Sequence, residues 1–426
     1  MVGGQPQPRR EEPVGKPKPF EISKEAVHAA YLRVKAKDGG PGIDGVSIEE
    51  FERNLEGNLY KLWNRMSSGS YLPPPVRMVE IPKPDGRVRV LGVPTVADRI
   101  AQTVVKEYLE PVVEPIFHED SYGYRPGRSP HQAVGVCRER CWRRDWVIDL
   151  DIKAFFDTLD HELVMRAVRH HTSERWILLY VERWLKAPLQ REDGSLVARE
   201  KGSPQGSAIS PLLANLFMHY AFDAWMQREF PTIWFERYCD DVVVHCQSEK
   251  QARYVLAAIT KRLARCRLEV HPTKTRIVYC KDQNRPGSHE HEQFDFLGYT
   301  FRPRRARNGT TGETFVSFSP AASDEVCKAM RQEIRRWRLH LRSGSDLEEL
   351  AQETNPVVQG WINYYGSYYP SQLIFTLSRI NEVLIRWAAR KFKRLHHRLG
   401  RARHLLASIA RREPRLFVSW QFGVRP

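Results

Sequence analysis

The sequence predicts an α+β protein: antiparallel hairpins embedded among helices, followed by a helical end. Three observations carry this. Runs of β-formers flank Pro84-Asp85-Gly86 and Asp240-Asp241, so strands pair locally as hairpins. Between them lie longer stretches with apolar residues at helical spacing. From about Ala321 the composition turns helical and strongly basic.

The chain has 426 residues, 41% of them hydrophobic, enough for a large core in two or three domains. Its formal charge of +16 favours a polyanionic partner, nucleic acid before anionic membrane. No apolar run approaches the roughly 18–20 residues of a membrane span, so no membrane partner is expected. The first 20 residues lack the apolar core of a signal peptide and read as a disordered, basic, Pro-rich tail. The seven cysteines are scattered. Cys137 and Cys141 lie four apart with no second pair to complete a zinc site, so the set reads as reduced thiols in a cytoplasmic protein.

In order, the segment from Glu21 to Gly69 reads as two helices broken at Gly39-Gly40-Pro41-Gly42. Val76–Pro94 is a hairpin, and a long helix follows from about Val96. "WVIDLDIKAFFDTLDHELVMRAV" changes period midway: Trp146–Ile152 alternates like a strand, and helical spacing begins near Phe156. Asp149 and Asp151 are two apart and face one side of that strand. "KGSPQGSAISPLLANLF" starts as a loop and becomes a helix from about Pro211. Then come the "RYCDDVVVHC" hairpin, an amphipathic helix from Gln251, and strands in "TKTRIVYC" and "FDFLGYTFRP".

Adjacent carboxylates at a hairpin tip repel each other unless cations neutralise them. Nucleotidyl transfer requires two divalent ions roughly 3.5–4 Å apart, and Mg²⁺ takes a few carboxylates plus substrate phosphates. Asp240, Asp241 and Asp151, the last as a bridging ligand, suit that chemistry. Lys83 and Arg89 beside a turn suit triphosphate oxygens. The Gln205-Gly206 turn allows close backbone approach to a nucleotide. Phe156, five residues after Asp151, is placed to lie under the sugar. Lys274 in "HPTKT" suits protonation of the leaving pyrophosphate.

In this order, "PGIDGVSIEEF", "IPKPDGRVRVLGVP", "SYGYRPGRSPHQAV", "DLDIKAFFDTLDHELV", "GSPQGSAISPLLANLF", "RYCDDVVV", "HPTKT", "FLGYTF" and "GWINYYG" resemble the motifs of group II intron reverse transcriptases and maturases. The resemblance runs from about Pro41 through Pro370. It implies a right-hand polymerase: fingers over 21–145, a palm over 146–320, a helical thumb and maturase domain over 321–395, and a basic nucleic-acid-binding extension over 396–426. It assigns metal binding to Asp151, Asp240 and Asp241, with Asp149 as the rival to Asp151. It assigns Lys83 and Arg89 to the triphosphate, Gln205 and Gly206 to the nucleotide pocket, and Phe156 to exclusion of the ribose 2′-hydroxyl. Cys239 departs from the pattern, since alanine is usual there. No cysteine follows Cys327, so the His-Asn-His endonuclease of many relatives is expected to be absent.

Between Arg379 and Arg415 twelve Lys/Arg face two acidic residues. Arg386, Arg390, Lys391, Lys393, Arg394, Arg398 and Arg401 fall at mostly helical spacing beside Trp387 and Phe392, as phosphate contacts would. The aromatics of "GWINYYGSYYP" read as core. The resemblance implies copying of RNA into DNA from dNTPs with two Mg²⁺ ions, Mn²⁺ being a substitute. It implies as partners an RNA template with DNA primer, the parent intron RNA, and target DNA. Two other readings remain: a related reverse transcriptase serving a host or phage-defence task, and a non-catalytic RNA chaperone.

Overall fold

The computed structural model describes residues 18–82 and 88–426; Lys83 and the Pro84-Asp85-Gly86 turn, like most of the N-terminal tail, lie outside them. In chain order the strands are β1 (Val76–Pro82), β2 (Val88–Val93), β3 (Trp146–Leu150), β4 (Leu189–Gln190), β5 (Leu196–Val197), β6 (Trp234–Tyr238), β7 (Asp241–Cys246), β8 (Arg276–Tyr279), β9 (Phe294–Phe296), β10 (Tyr299–Arg307) and β11 (Thr314–Ala322). The chain forms two compact units, each discontinuous in sequence. One holds the described residues up to Phe117 with Ala154–Tyr220, and the other holds His118–Lys153 with Ala221–Pro426.

In the first unit β1 and β2 pair antiparallel from Arg77↔Val93 to Pro82↔Val88. The short β4 adds parallel to β1, and β5 pairs with β4. Two-residue strands carry too little alternation to show in sequence, so this half of the sheet was not anticipated. Where two N-terminal helices were expected there are three. Asn54, at φ −136°, interrupts the second before Leu55–Ser67. The helix Val96–Val113 is capped by Thr95 and buried along Ile100, Val104 and Val105. The helix expected near Phe156 begins at Phe155, stops at Leu159, and restarts at His161 under an Asp160 cap.

The second unit is built on the antiparallel order β6-β7-β3-β8. Register pairs Asp149 with Val243 on one side and with Arg276 on the other. One face of this sheet, with Val147, Val243 and Val278, packs on Ala133, Val134, Cys137 and Cys141 of the helix Pro130–Cys141. The helix Glu249–Arg265 packs against β3 and β7 as well. A second antiparallel sheet, β11-β10-β9, follows. Its β9–β10 turn holds Leu297 and Gly298, both at positive φ, the type I′ pattern of two-residue hairpins.

The C-terminal helices Asp324–Arg336, Leu347–Tyr365, Pro370–Lys391 and Leu399–Arg412 close around Leu377, Leu384, Trp387 and Trp420. The basic run is not one helix. It ends at Lys391, passes through extended Phe392 and a short turn at Lys393–Leu395, and resumes at Leu399. The break lets the last long helix fold back on its predecessor. Trp387 is buried, so it serves the core rather than the charged face. The aromatics of Gly360–Gly366 pack as expected: Trp361 stacks on Trp337, and Tyr364 and Tyr365 lie against Tyr299.

Candidate active site

The β6–β7 hairpin has a two-residue loop, with Tyr238 paired to Asp241. Cys239 takes φ +62°, whereas Asp240 does not enter the positive region. Positive φ at only the first loop residue is the II′ pattern, which favours glycine there. A non-glycine residue therefore requires outside support. Arg237, fully buried, supplies it. Its guanidinium donates to the Cys239 carbonyl at 3.0 Å, to both oxygens of Asp223 at 2.7 and 2.6 Å, and to the Ser121 hydroxyl at 2.7 Å. Gly123 closes over the same turn: a Cβ there would lie 2.5 Å from the Cys239 nitrogen.

Asp151 sits one residue past β3, its backbone clamped by the "HPTKT" segment. Its amide donates to the Thr275 hydroxyl at 3.1 Å, and its carbonyl accepts from the His271 amide at 2.8 Å. The Lys274 ammonium lies 3.0 Å from the Asp151 carboxylate. A cavity of about 490 Å³ is lined by Asp149, Asp151, Asp240, Asp241, Lys274, Arg276 and Asp295. The structure thus brings together Asp151, Asp240, Asp241 and Lys274, four residues more than 120 positions apart at the extremes. It adds three that sequence reading did not place there as a set: Asp149 on β3, Arg276 on β8 and Asp295 on β9. Desolvation, then Asp149 and Asp240, pushes the Asp241 carboxyl well above the ordinary carboxylate range, against an amide bond from Leu297. Desolvation and Asp295 push Asp149 up to about 7, with Arg276 opposing. Five carboxylates against Lys274 and Arg276 leave the excess negative charge that a cation site shows before the cation is counted.

The expected nucleotide-binding residues belong to the first unit, apart from Lys83, which lies outside the described residues. Arg89 is exposed on β2 opposite Ile81. The Gln205 carbonyl accepts from the Gly92 amide at 2.8 Å. Gly206 takes φ +113°, and a Cβ there would meet the Gly92 oxygen at 2.6 Å, so only glycine fits. The half-buried Phe156 packs edge-on to Phe155, and its carbonyl accepts from the Ser203 amide. Strand, loop and aromatic thus form one cluster. Gln102 braces it from behind: its side-chain oxygen accepts from the Ala208 amide at 2.8 Å and from the Ser207 hydroxyl at 2.5 Å. Gln102 escaped sequence reading because Ser207 and Ala208 lie more than 100 residues away, and Arg237 because only folding brings Ser121 and Asp223 to it. The one signal was a charged Arg237 where β6 must be buried.

In the C-terminal helices Arg386 and Arg390 are exposed, whereas Lys391 donates to the Ser345 carbonyl at 2.6 Å. Lys393, Arg394, His396, Arg398 and Arg401 line a cleft of about 360 Å³. Among the described residues no helix is long and apolar enough to cross a membrane.

The fold and this carboxylate cavity define a nucleotidyl-transferring polymerase, and comparison with known proteins makes the class specific. Residues 81–301 match the family model described as reverse transcriptase (RNA-dependent DNA polymerase), and residues 327–405 match the group II intron maturase-specific domain. The chain belongs to the reverse transcriptase family: it is an RNA-directed DNA polymerase carrying a maturase-specific domain. Protein YkfC of Escherichia coli is 31% identical over 328 residues, 66% of this chain and 81% of its own. The putative COX1/OXI3 intron 1 protein of Saccharomyces cerevisiae is 32% identical over 198 residues, 46% of this chain and 24% of its own. Group II intron-encoded protein LtrA of Lactococcus lactis subsp. cremoris is 31% identical over 193 residues, 45% of this chain and 32% of its own. This chain therefore spans under a third of the last two.

Proposed function

We propose that Asp151, Asp240 and Asp241 hold two Mg²⁺ ions for DNA synthesis on an RNA template, and that the chain also binds its parent group II intron RNA to assist splicing and mobility. The observation that supports the first part is the convergence of the three carboxylates, from separate segments, on one cavity. The donors are all hard oxygens, which fits Mg²⁺, with Mn²⁺ as a substitute. Held by these three carboxylates, such ions would supply Lewis acidity at the primer 3′-hydroxyl and positive charge at the departing pyrophosphate. The chain's own residues do the rest. Lys274, held by Asp151, is the proton donor to pyrophosphate. Lys83 and Arg89 clamp the triphosphate of the dNTP. Gln205 and Gly206 line the base and sugar pocket, and Phe156 rejects a 2′-hydroxyl.

The splicing part is supported by the maturase-specific match and by the basic cleft of Lys393, Arg394, Arg398 and Arg401; these four, with Arg386, Arg390 and Lys391 on the preceding helix, serve intron RNA and target DNA phosphates. Primer extension on an RNA template tests the assignment of the site. Asp241→Asn should lower extension by orders of magnitude with RNA affinity near wild type; extension at the wild-type rate removes Asp241 from the site.

A further inference from the structure

Behind the catalytic hairpin lies a second cluster of metal-binding side chains, of different chemistry. On β7 the alternation that points Asp241 and Val243 to one face also points His245 there. Glu236 on β6 pairs with Val243, and Cys280 follows β8 two positions after Val278. The helix Pro130–Cys141 covers this end of the face with Cys137 and Cys141, one turn apart. All five side chains are buried, none more than 1% exposed. A thiol sulfur of Cys137, an oxygen of Glu236 and a ring nitrogen of His245 lie within 4.8 Å of one another. The Cys141 thiol interacts with Cys137, Cys280 and His245. The cluster stands about four residues, roughly 13 Å, along β7 from Asp241, with its thiols in the same apolar layer as Val147, Val243 and Val278.

The imidazole shows how such a group would bind metal. Nε2 is 2.6 Å from Glu236, whose other oxygen accepts from Arg140 at 2.7 Å. Nδ1 is buried with no well-aligned hydrogen-bond partner. A histidine fixed through one nitrogen by a carboxylate, with the other directed among thiols, is the usual arrangement of a metal-bound imidazole.

We propose that Cys137, Cys141, Cys280 and His245 bind one structural Zn²⁺, with Glu236 and Arg140 orienting the imidazole. Thiolate and imidazole select zinc over the Mg²⁺ that carboxylates take. Binding exchanges each S–H for an S–Zn bond and releases the thiol protons to solvent, and the imidazole binds as the neutral ring. The metal would staple the helix Pro130–Cys141 to β7 and to the end of β8, and so stiffen the strand that carries Asp241.

The test uses the full chain, stripped of metal and equilibrated with Zn²⁺ alone or Co²⁺ alone. We expect one zinc per chain after desalting, a higher melting temperature with zinc, and a thiolate-to-cobalt charge-transfer band with tetrahedral d–d bands. Cys137→Ser and Cys280→Ser should lose the zinc, while Cys327→Ser, which alters a thiol outside the cluster, should keep it. Zinc below about a tenth of an equivalent, or a cobalt spectrum without a thiolate band, overturns the proposal. So does retention of full stoichiometry by folded Cys137→Ser and Cys280→Ser. If those variants fail to fold, the wild-type cobalt spectrum decides alone.

Discussion

The hydroxyl of Tyr364 donates to the carbonyl of Leu297 at 3.0 Å. The amide of that same Leu297 donates to the Asp241 carboxylate. A helix of the maturase-specific region thereby reaches Asp241, a proposed metal ligand, through one β-turn and two hydrogen bonds. Tyr364→Phe removes the first link without removing the ring. A neutral hydrogen bond is worth about 1 kcal/mol, so if that energy positions Asp241, single-turnover primer extension should slow about fivefold. An unchanged rate beside a lowered melting temperature would limit the bond to stability.

Arg237 and Asp223 form an ion pair in which both side chains are fully buried. Removing one partner of such a pair costs about 3–5 kcal/mol, because the other charge is stranded. Arg237→Met should show that loss in urea unfolding, and the Arg237→Met, Asp223→Leu double variant should recover much of it. The double variant still lacks the donor to the Cys239 carbonyl, so its DNA synthesis should remain low. Recovery of both properties together would mean the turn holds itself.

Asp98 accepts from Tyr71 and Trp184 at 2.7 Å and from Gln102 at 2.9 Å. Burial nevertheless pushes its carboxyl up to about 6, the three hydrogen bonds opposing. The folded state therefore holds this proton more tightly than the unfolded chain. Its contribution to stability is present at low pH and is lost as pH rises from the ordinary value near 4 to about 6, a change on the order of 3 kcal/mol. Unfolding free energies from pH 4 to 6 should carry that slope in the wild type and lack it in Asp98→Asn. Equal slopes would place the titration elsewhere.

Replacing Lys393, Arg394, Arg398 and Arg401 with Gln removes four charges from one cleft. Each lost phosphate contact lowers the salt slope of binding by roughly 0.7–0.9, so the slope should fall by about 3. Splicing of intron RNA should fail, while extension of a pre-annealed primer at high enzyme concentration should survive. Lys391→Gln should weaken binding less than the others, because Lys391 is tied to the Ser345 carbonyl. A splicing defect in Asp241→Asn as deep as that of the quadruple variant would end the separation of the two activities.

What was legible in the sequence was local. Alternation exposed β3, the paired aspartates marked the β6–β7 turn, and the ordered motifs named the family, because each signal lies within a few residues. What was hidden was pairing at a distance. Nothing near Asp295 says that β9 would bring it to the cavity of Asp149. Nothing near Gln102 announces Ser207. Cys137 and Cys141 have no second pair nearby in sequence because Cys280 and His245 are brought to them only by folding. The basic run reads as mostly helical because charge and spacing persist across Phe392, where only the backbone turns.

The register Trp146↔Cys246 has a consequence during biosynthesis. The strand that leads to Asp151 leaves the ribosome a hundred residues before its first neighbour, which at about 5–20 residues per second is a wait of roughly 5–20 s. Its second neighbour, paired through Trp146↔Tyr279, comes later still. Throughout that interval an apolar strand with both edges open is the kind of segment that mispairs or recruits another nascent chain. Yield in a heterologous host should therefore depend on trigger-type chaperones and slow growth temperature more than on the thermodynamic stability of the finished enzyme.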